Sequence, residues 1–174
     1  TEELDMDKYK AMQLVYDLTE KNINNKTTFL AAFATDVVGE NIQFDVDEYD
    51  YVIDAIDSLD NKALLIRRAC DSSATLFASM GAALKMDPLK IDIAEFWKVK
   101  GCPLAAALRR KFKKSKTFPS KKFKCVYSEE LLENKGLPPQ DANGNPIRAN
   151  GTIAHTTAIF GFTLAGLVIQ DILK

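Results

Sequence analysis

The sequence predicts a single α/β domain, with a mainly parallel sheet covered by helices on both faces. The runs 49–56 and 74–80 are short, apolar and rich in β-branched and aromatic residues, which suits strands. Neither alternates apolar with polar residues as a half-exposed strand would, so both faces of the sheet are expected to be covered. Between them Ala63, Leu64, Leu65, Ile66 and Ala69 form the apolar part of a helix. Strand, helix, strand at this spacing is the unit that builds parallel sheets. A length of 174 residues suits one domain over 1–174.

The other elements follow in order. Met12, Leu14, Val15 and Leu18 suit an amphipathic helix over 7–21, ended by the polar run 22–26. Residues 29–33 read as a short strand. Asp57 and Ser58 supply N-cap chemistry for the helix after the 49–56 strand. Gly81 closes the 74–80 strand. Residues 91–96 suit either another strand or an extended crossing. Pro103 fits the first turn of a helix running to about Lys114, and 123–127 looks like a further strand. The stretch 134–151 is rich in Pro, Gly and Asn, so a mobile surface loop is expected. An apolar helix over 153–173 closes the chain. It carries His155, Thr156, Thr157, Gln170 and Asp171, which are costly in lipid, so it reads as a core or dimer-interface helix and not as a membrane span.

The net charge of -1 conceals an asymmetry. Residues 1–60 hold fifteen acids against four lysines, whereas residues 61–124 hold sixteen Lys and Arg against four acids. A basic block of that size predicts a polyanionic partner. Its densest part is RRKFKKSKTFPSKKFK, 109–124, where nine of sixteen residues are basic, none is acidic, and Phe112, Phe118 and Phe123 interleave. The candidates for RNA phosphates are Arg109, Arg110, Lys111, Lys113, Lys114, Lys116, Lys121, Lys122 and Lys124, with an aromatic free to stack an unpaired base. The cysteines, Cys70, Cys102 and Cys125, form no C-x-x-C pair. That argues against a zinc knuckle or a disulfide framework, and for a reduced, cytoplasmic setting. No basic-then-apolar signal peptide opens the sequence.

From residue 49 onward five blocks carry a resemblance. YDYVIDAIDSLDNKALLIRRAC, SMGAALKMDPLKI, GCPLAAALRRKFKK, KCVYSEE and TTAIFGFTLAGLVIQDIL stand in the order of the HesA/MoeB/ThiF (ubiquitin-activating E1-like) superfamily. The third and fourth are similar to its tRNA-modifying branch, which dehydrates threonylcarbamoyladenosine. The resemblance implies a Rossmann-like fold, ATP and Mg²⁺ as cofactors, tRNA as partner, a homodimer, and a possible sulfur-transfer partner. It also implies activation of the nucleoside's carboxylate as an adenylate, followed by ring closure. The alternatives are adenylation of a ubiquitin-like sulfur-carrier protein, or an inactive binding module. The superfamily's G-x-G-G-x-G-S loop, its ribose-binding acid and its Asn-x-x-Arg-Gln element have no counterpart here. The chain therefore reads as a member without its first third, expected to bind ATP poorly and turn over little alone.

The resemblance assigns residues as follows. Asp57, in D-A-I-D-S, is the expected catalytic carboxylate and Mg²⁺ ligand; in doubly wound folds ligands gather beyond the carboxyl ends of strands. Asp54, three residues earlier, faces the other way and reads as structural. Asn61 and Lys62 open the next helix, where Lys62 is expected either to neutralise phosphate or to be solvated. Lys8 or Lys10, of which Lys10 is preferred, is the candidate for the β/γ-phosphates, and Gly81 for close backbone approach to a ligand. Cys125 reads as a buried thiol, and His155 as a capping or packing residue.

Overall fold

The computed structural model describes residues 29–32, 45–136, 140, 143–146 and 150–174. The helix expected over 7–21, with Lys10, and much of the loop expected over 134–151 lie outside them. Among the described residues five strands form one sheet: β1 (Phe29–Ala32), β2 (Tyr51–Asp54), β3 (Thr75–Ser79), β4 (Ile91–Glu95) and β5 (Lys124–Ser128), in the order β1-β2-β3-β5-β4. Neighbours are parallel from β1 through β2 and β3 to β5, as in Tyr51 opposite Thr75 and Ala78 opposite Cys125. The segment that read as strand or crossing is β4, an edge strand antiparallel to β5, running from Ile91 opposite Ser128 to Glu95 opposite Lys124.

Among the described residues three helices cover the sheet: α1 (Leu59–Asp71), α2 (Pro103–Ser115) and α3 (Ala154–Ile172). The side-chain alternation of each strand divides the core in two. Val52, Leu76, Ala78, Cys125 and Tyr127 meet Leu65, Ile66 and Ala69 of α1 and Leu108 and Phe112 of α2. Tyr51, Ile53, Phe77 and Val126 meet Phe160, Leu164, Leu167 and Val168 of α3 on the other face. Each large apolar side chain so buried contributes roughly 1.5–3 kcal/mol. The helices thus lie on both faces, as the unalternated strands required.

Local chemistry sets the helix ends. Ser58 holds the N-cap position of α1 without a side-chain cap bond, and Asp60 and Arg68 complement the helix dipole at its two ends. Pro103 opens α2, and Lys116 ends it in the left-handed region at φ 56°. Gly101, just before α2, has φ +63°, and an added Cβ would lie 2.6 Å from the Glu129 carbonyl oxygen. Only glycine fits there. Among the described residues no helix is long and apolar enough to cross a membrane.

Candidate functional site

The parallel strands β2, β3 and β5 end at one edge of the sheet, where the chain leaves β2 through Ala55, Ile56 and Asp57. This turn is held from below. Asp54, the last residue of β2, turns its side chain toward α1 and is fully buried. Its Oδ1 accepts the Ile56 N–H at 3.0 Å and stands 3.0 Å from Lys62 Nζ. Lys62 Nζ also donates to the Ile56 carbonyl at 3.0 Å, so the buried pair grips both polar groups of one residue. Asp57 follows directly, exposed and with no partner among the described residues.

This arrangement corrects the expectation for Lys62. Its ammonium does not reach into solvent; it is sealed in the interior by Asp54 and Ile56. Desolvation raises the Asp54 carboxyl above the usual carboxylate range, opposed by Lys62 and the Ile56 N–H. Asp54 Oδ2 is buried without a hydrogen bond among the described residues. Asn61, beside Lys62 on the first turn of α1, is half-buried.

The loop after β3 forms the next wall of the edge. Met80 continues the ladder by donating its N–H to the Val126 carbonyl at 2.9 Å, and Gly81 follows. A methyl group at Gly81 would meet Leu104 at an ordinary 3.6 Å, so no described neighbour demands glycine there. Four side chains outside the predicted site, Lys85, Glu130, His155 and Thr156, tie this loop down. Glu130 accepts the N–H groups of Met86 and Asp87 at 2.6 and 2.9 Å, which holds its carboxyl below the usual range. Lys85 is buried, donates Nζ to the Glu130 carbonyl, and is pulled below the usual lysine range by burial. Thr156, in the first turn of α3, donates to the Lys85 carbonyl at 3.2 Å, and His155 donates Nε2–H to the Met86 carbonyl at 2.9 Å. His155 is therefore a packing contact. The second acid of S-E-E was the one sequence signal for this anchor.

The three cysteines are buried and free. Burial pushes the Cys125 thiol far above its usual range and the Cys70 thiol up to about 11, so neither is an activated nucleophile.

The basic stretch divides. Arg109 is an internal tie: its Nη1 donates to the Phe96 and Val99 carbonyls, each at 3.0 Å, with the guanidinium over the Phe96 ring. Lys111 pairs with Asp60, and Lys121 donates to the Ser72 carbonyl. Phe112 and Phe123 are core residues. Arg110, Lys113, Lys114, Lys116, Lys122 and Lys124 are exposed. Lys124 opens β5, so the end of this stretch lies at the amino edge of the sheet, opposite Asp57. A cavity of about 540 Å³ lies at that amino edge, lined by Thr75, Glu95, Lys122, Lys124, Asp171 and Lys174 among others. It is separate from the Asp57 turn.

No family model matches the chain. It is, however, 34% identical over 138 residues to the tRNA threonylcarbamoyladenosine dehydratase of Haemophilus influenzae, a match covering 72% of this chain and 51% of that protein. The chain is a homologue of the tRNA threonylcarbamoyladenosine dehydratases. The solved Escherichia coli dehydratase in complex with AMP is 32% identical, with a TM-score of 0.57 over 72% of this chain and 49% of its own. The same enzyme in complex with ATP aligns over 94% of this chain and 63% of its own at 28% identity and a TM-score of 0.60. The Rossmann-like fold of this dehydratase homologue is thereby shared with solved relatives. It spans about half the length of the curated bacterial dehydratases it matches.

Proposed function

We propose that this chain serves the ATP-dependent dehydration of N6-threonylcarbamoyladenosine in tRNA. One observation carries the reading: an exposed carboxylate, Asp57, with no partner among the described residues, stands at the exit of a central parallel strand in a homologue of enzymes named for that reaction. The nucleoside's carboxylate oxygen bonds to the α-phosphorus of ATP and pyrophosphate leaves. Attack within the same side chain on the activated carbonyl then expels AMP, releases a proton and closes the ring. Activation is needed because a carboxylate oxygen leaves poorly and AMP leaves well.

Asp57 fits Mg²⁺, a hard cation that usually takes one or two carboxylates and completes its octahedron with phosphate oxygens and water. When bound, the ion supplies charge neutralisation at the phosphates. Asn61 and Gly81 border the nucleotide in this reading; since no described neighbour requires the missing side chain at Gly81, close approach of ligand is the reason assigned to it. Lys62 acts through Asp54 and the turn, without touching phosphate. Lys10 is the candidate for the β/γ-phosphates.

The exposed cations Arg110, Lys113, Lys114, Lys116, Lys122 and Lys124 contact tRNA phosphates, in the cytoplasm, in a homodimer to which the exposed Phe162 of α3 contributes. A sulfur-transfer protein is the further partner this reading allows. Mass spectrometry of tRNA nucleosides from cells lacking the gene tests the proposal. Loss of the cyclic nucleoside with accumulation of the linear form supports it. An unchanged cyclic nucleoside contradicts it, and pyrophosphate exchange that depends on a carrier protein and ignores tRNA favours sulfur-carrier adenylation instead.

A further inference from the structure

We infer that Trp97 and Phe118 form a stacking platform for an unpaired nucleotide of RNA, an inference that rests on the tRNA reading above and assigns it a site. Of the three phenylalanines interleaved in the basic stretch, Phe112 and Phe123 are buried and only Phe118 reaches solvent, at 53% exposure. It does not stand alone. Its ring centroid lies 6.1 Å from that of Trp97, itself 39% exposed, with the planes inclined at 45°. Two exposed aromatic rings from segments twenty-one residues apart in sequence thus share one patch of surface.

The platform is rigid on its inner side. Trp97 sits in a short 3-10 turn, Phe96–Lys98, whose Phe96 ring is buried and packs edge-on against Trp97 at 5.1 Å. Phe96 stacks in turn on Phe123 at 5.0 Å. Arg109 locks the same turn through its bonds to the Phe96 and Val99 carbonyls. Phe118 leaves α2 two residues after the left-handed Lys116. A ring held in place before binding loses little freedom when a base lands on it.

Charge selects the occupant. Residues 96–124 contain eleven Lys and Arg and no Asp or Glu. Lys98 and Lys100 follow Trp97 within three residues, Lys116 precedes Phe118 by two, and Lys113 and Lys114 end α2; all five are exposed. An apolar protein surface has no use for this collar, whereas a nucleotide presents a π-face to the rings and a phosphate to the lysines. Duplex RNA hides its base faces, so the platform takes a nucleotide from a loop or a single strand.

Trp97 is the only tryptophan, so its fluorescence reports on the platform directly. The chain is titrated with a 12-nucleotide single-stranded RNA, and with a duplex RNA of matched charge, across a salt series. Single-stranded RNA is expected to quench Trp97 emission while duplex does not. Phe118→Ala, at an exposed position, is expected to weaken single-strand binding about tenfold with the salt slope unchanged. Charge reversal at Lys113, Lys114 and Lys116 is expected to flatten that slope. Salt-dependent binding with unquenched emission, or with affinity indifferent to Phe118→Ala, overturns the platform and leaves the tRNA reading standing. Absence of binding to either RNA at low salt overturns both.

Discussion

The Asp54 carboxylate stands 3.0 Å from the Lys62 ammonium, and neither side chain is exposed to solvent. Taking two charges out of water is expensive, and attraction offsets this only while both partners are present. Lys62→Met is therefore expected to cost about 3–5 kcal/mol, because it strands a buried carboxylate. Replacing both, with Asp54→Leu and Lys62→Met, is expected to recover most of that loss, as read by urea unfolding. The pH dependence has a definite sign. Burial already raises Asp54 in the fold, and losing Lys62 raises it further. The folded variant then holds a proton that the unfolded chain releases near the usual carboxylate value, so its deficit shrinks as pH falls and grows as pH rises through the folded value.

A second pH effect lies at the alkaline end. The Tyr51 hydroxyl donates to Asp171 Oδ2 at 3.1 Å, joining β2 to the last turn of α3. Burial first, then this bond, pushes Tyr51 up to about 12. The unfolded tyrosine loses its proton near pH 10, so the stabilisation is complete below that pH and lost as pH rises through about 12. Tyr51→Phe is expected to be less stable by about 1 kcal/mol at neutral pH. Thermal melts of the two proteins should converge as pH climbs from 10 through 12.

Gly101 is a purely steric prediction. Gly101→Ala places a methyl 2.6 Å from the Glu129 carbonyl oxygen at a φ of +63°. A loss of roughly 2–4 kcal/mol is expected from backbone strain plus collision. Gly81→Ala, with 3.6 Å to Leu104 and no positive φ, should leave stability within about 0.5 kcal/mol. Chemical denaturation of both variants checks the contrast.

Much of this was legible in the sequence, and the remainder depended on spatial packing. Apolar runs without alternation disclosed the strands, and Pro103 marked the start of α2, because strand propensity and helix starts are local properties. Spacing treated Asp54 and Asp57 as opposite faces of one strand, but β2 ends at Asp54, and Asp57 stands exposed in the turn beyond it. The role of Lys62 was hidden, since a lysine on the first turn of a helix is ordinarily solvated. Only the packing of α1 over β2 brings it eight residues back to Asp54. Arg109 was hidden likewise. It sits four residues after Ala105 and one after Leu108, at the flank of the buried stripe, but a run of neighbouring cations masked that position. Phe118 and Trp97 meet through the return of the chain to the start of β5, which no spacing rule encodes.

The central claim is that Asp57 at the exit of β2 holds the magnesium nucleotide, while the Asp54–Lys62 pair fixes the turn that presents it. The most direct measurement is mass spectrometry of tRNA nucleosides from cells whose chromosomal gene carries Asp57→Asn, with protein abundance checked by blot. The cyclic nucleoside should vanish and its linear precursor accumulate, at normal protein level. Cyclic nucleoside at the unmutated level, with the variant protein present, would contradict the account.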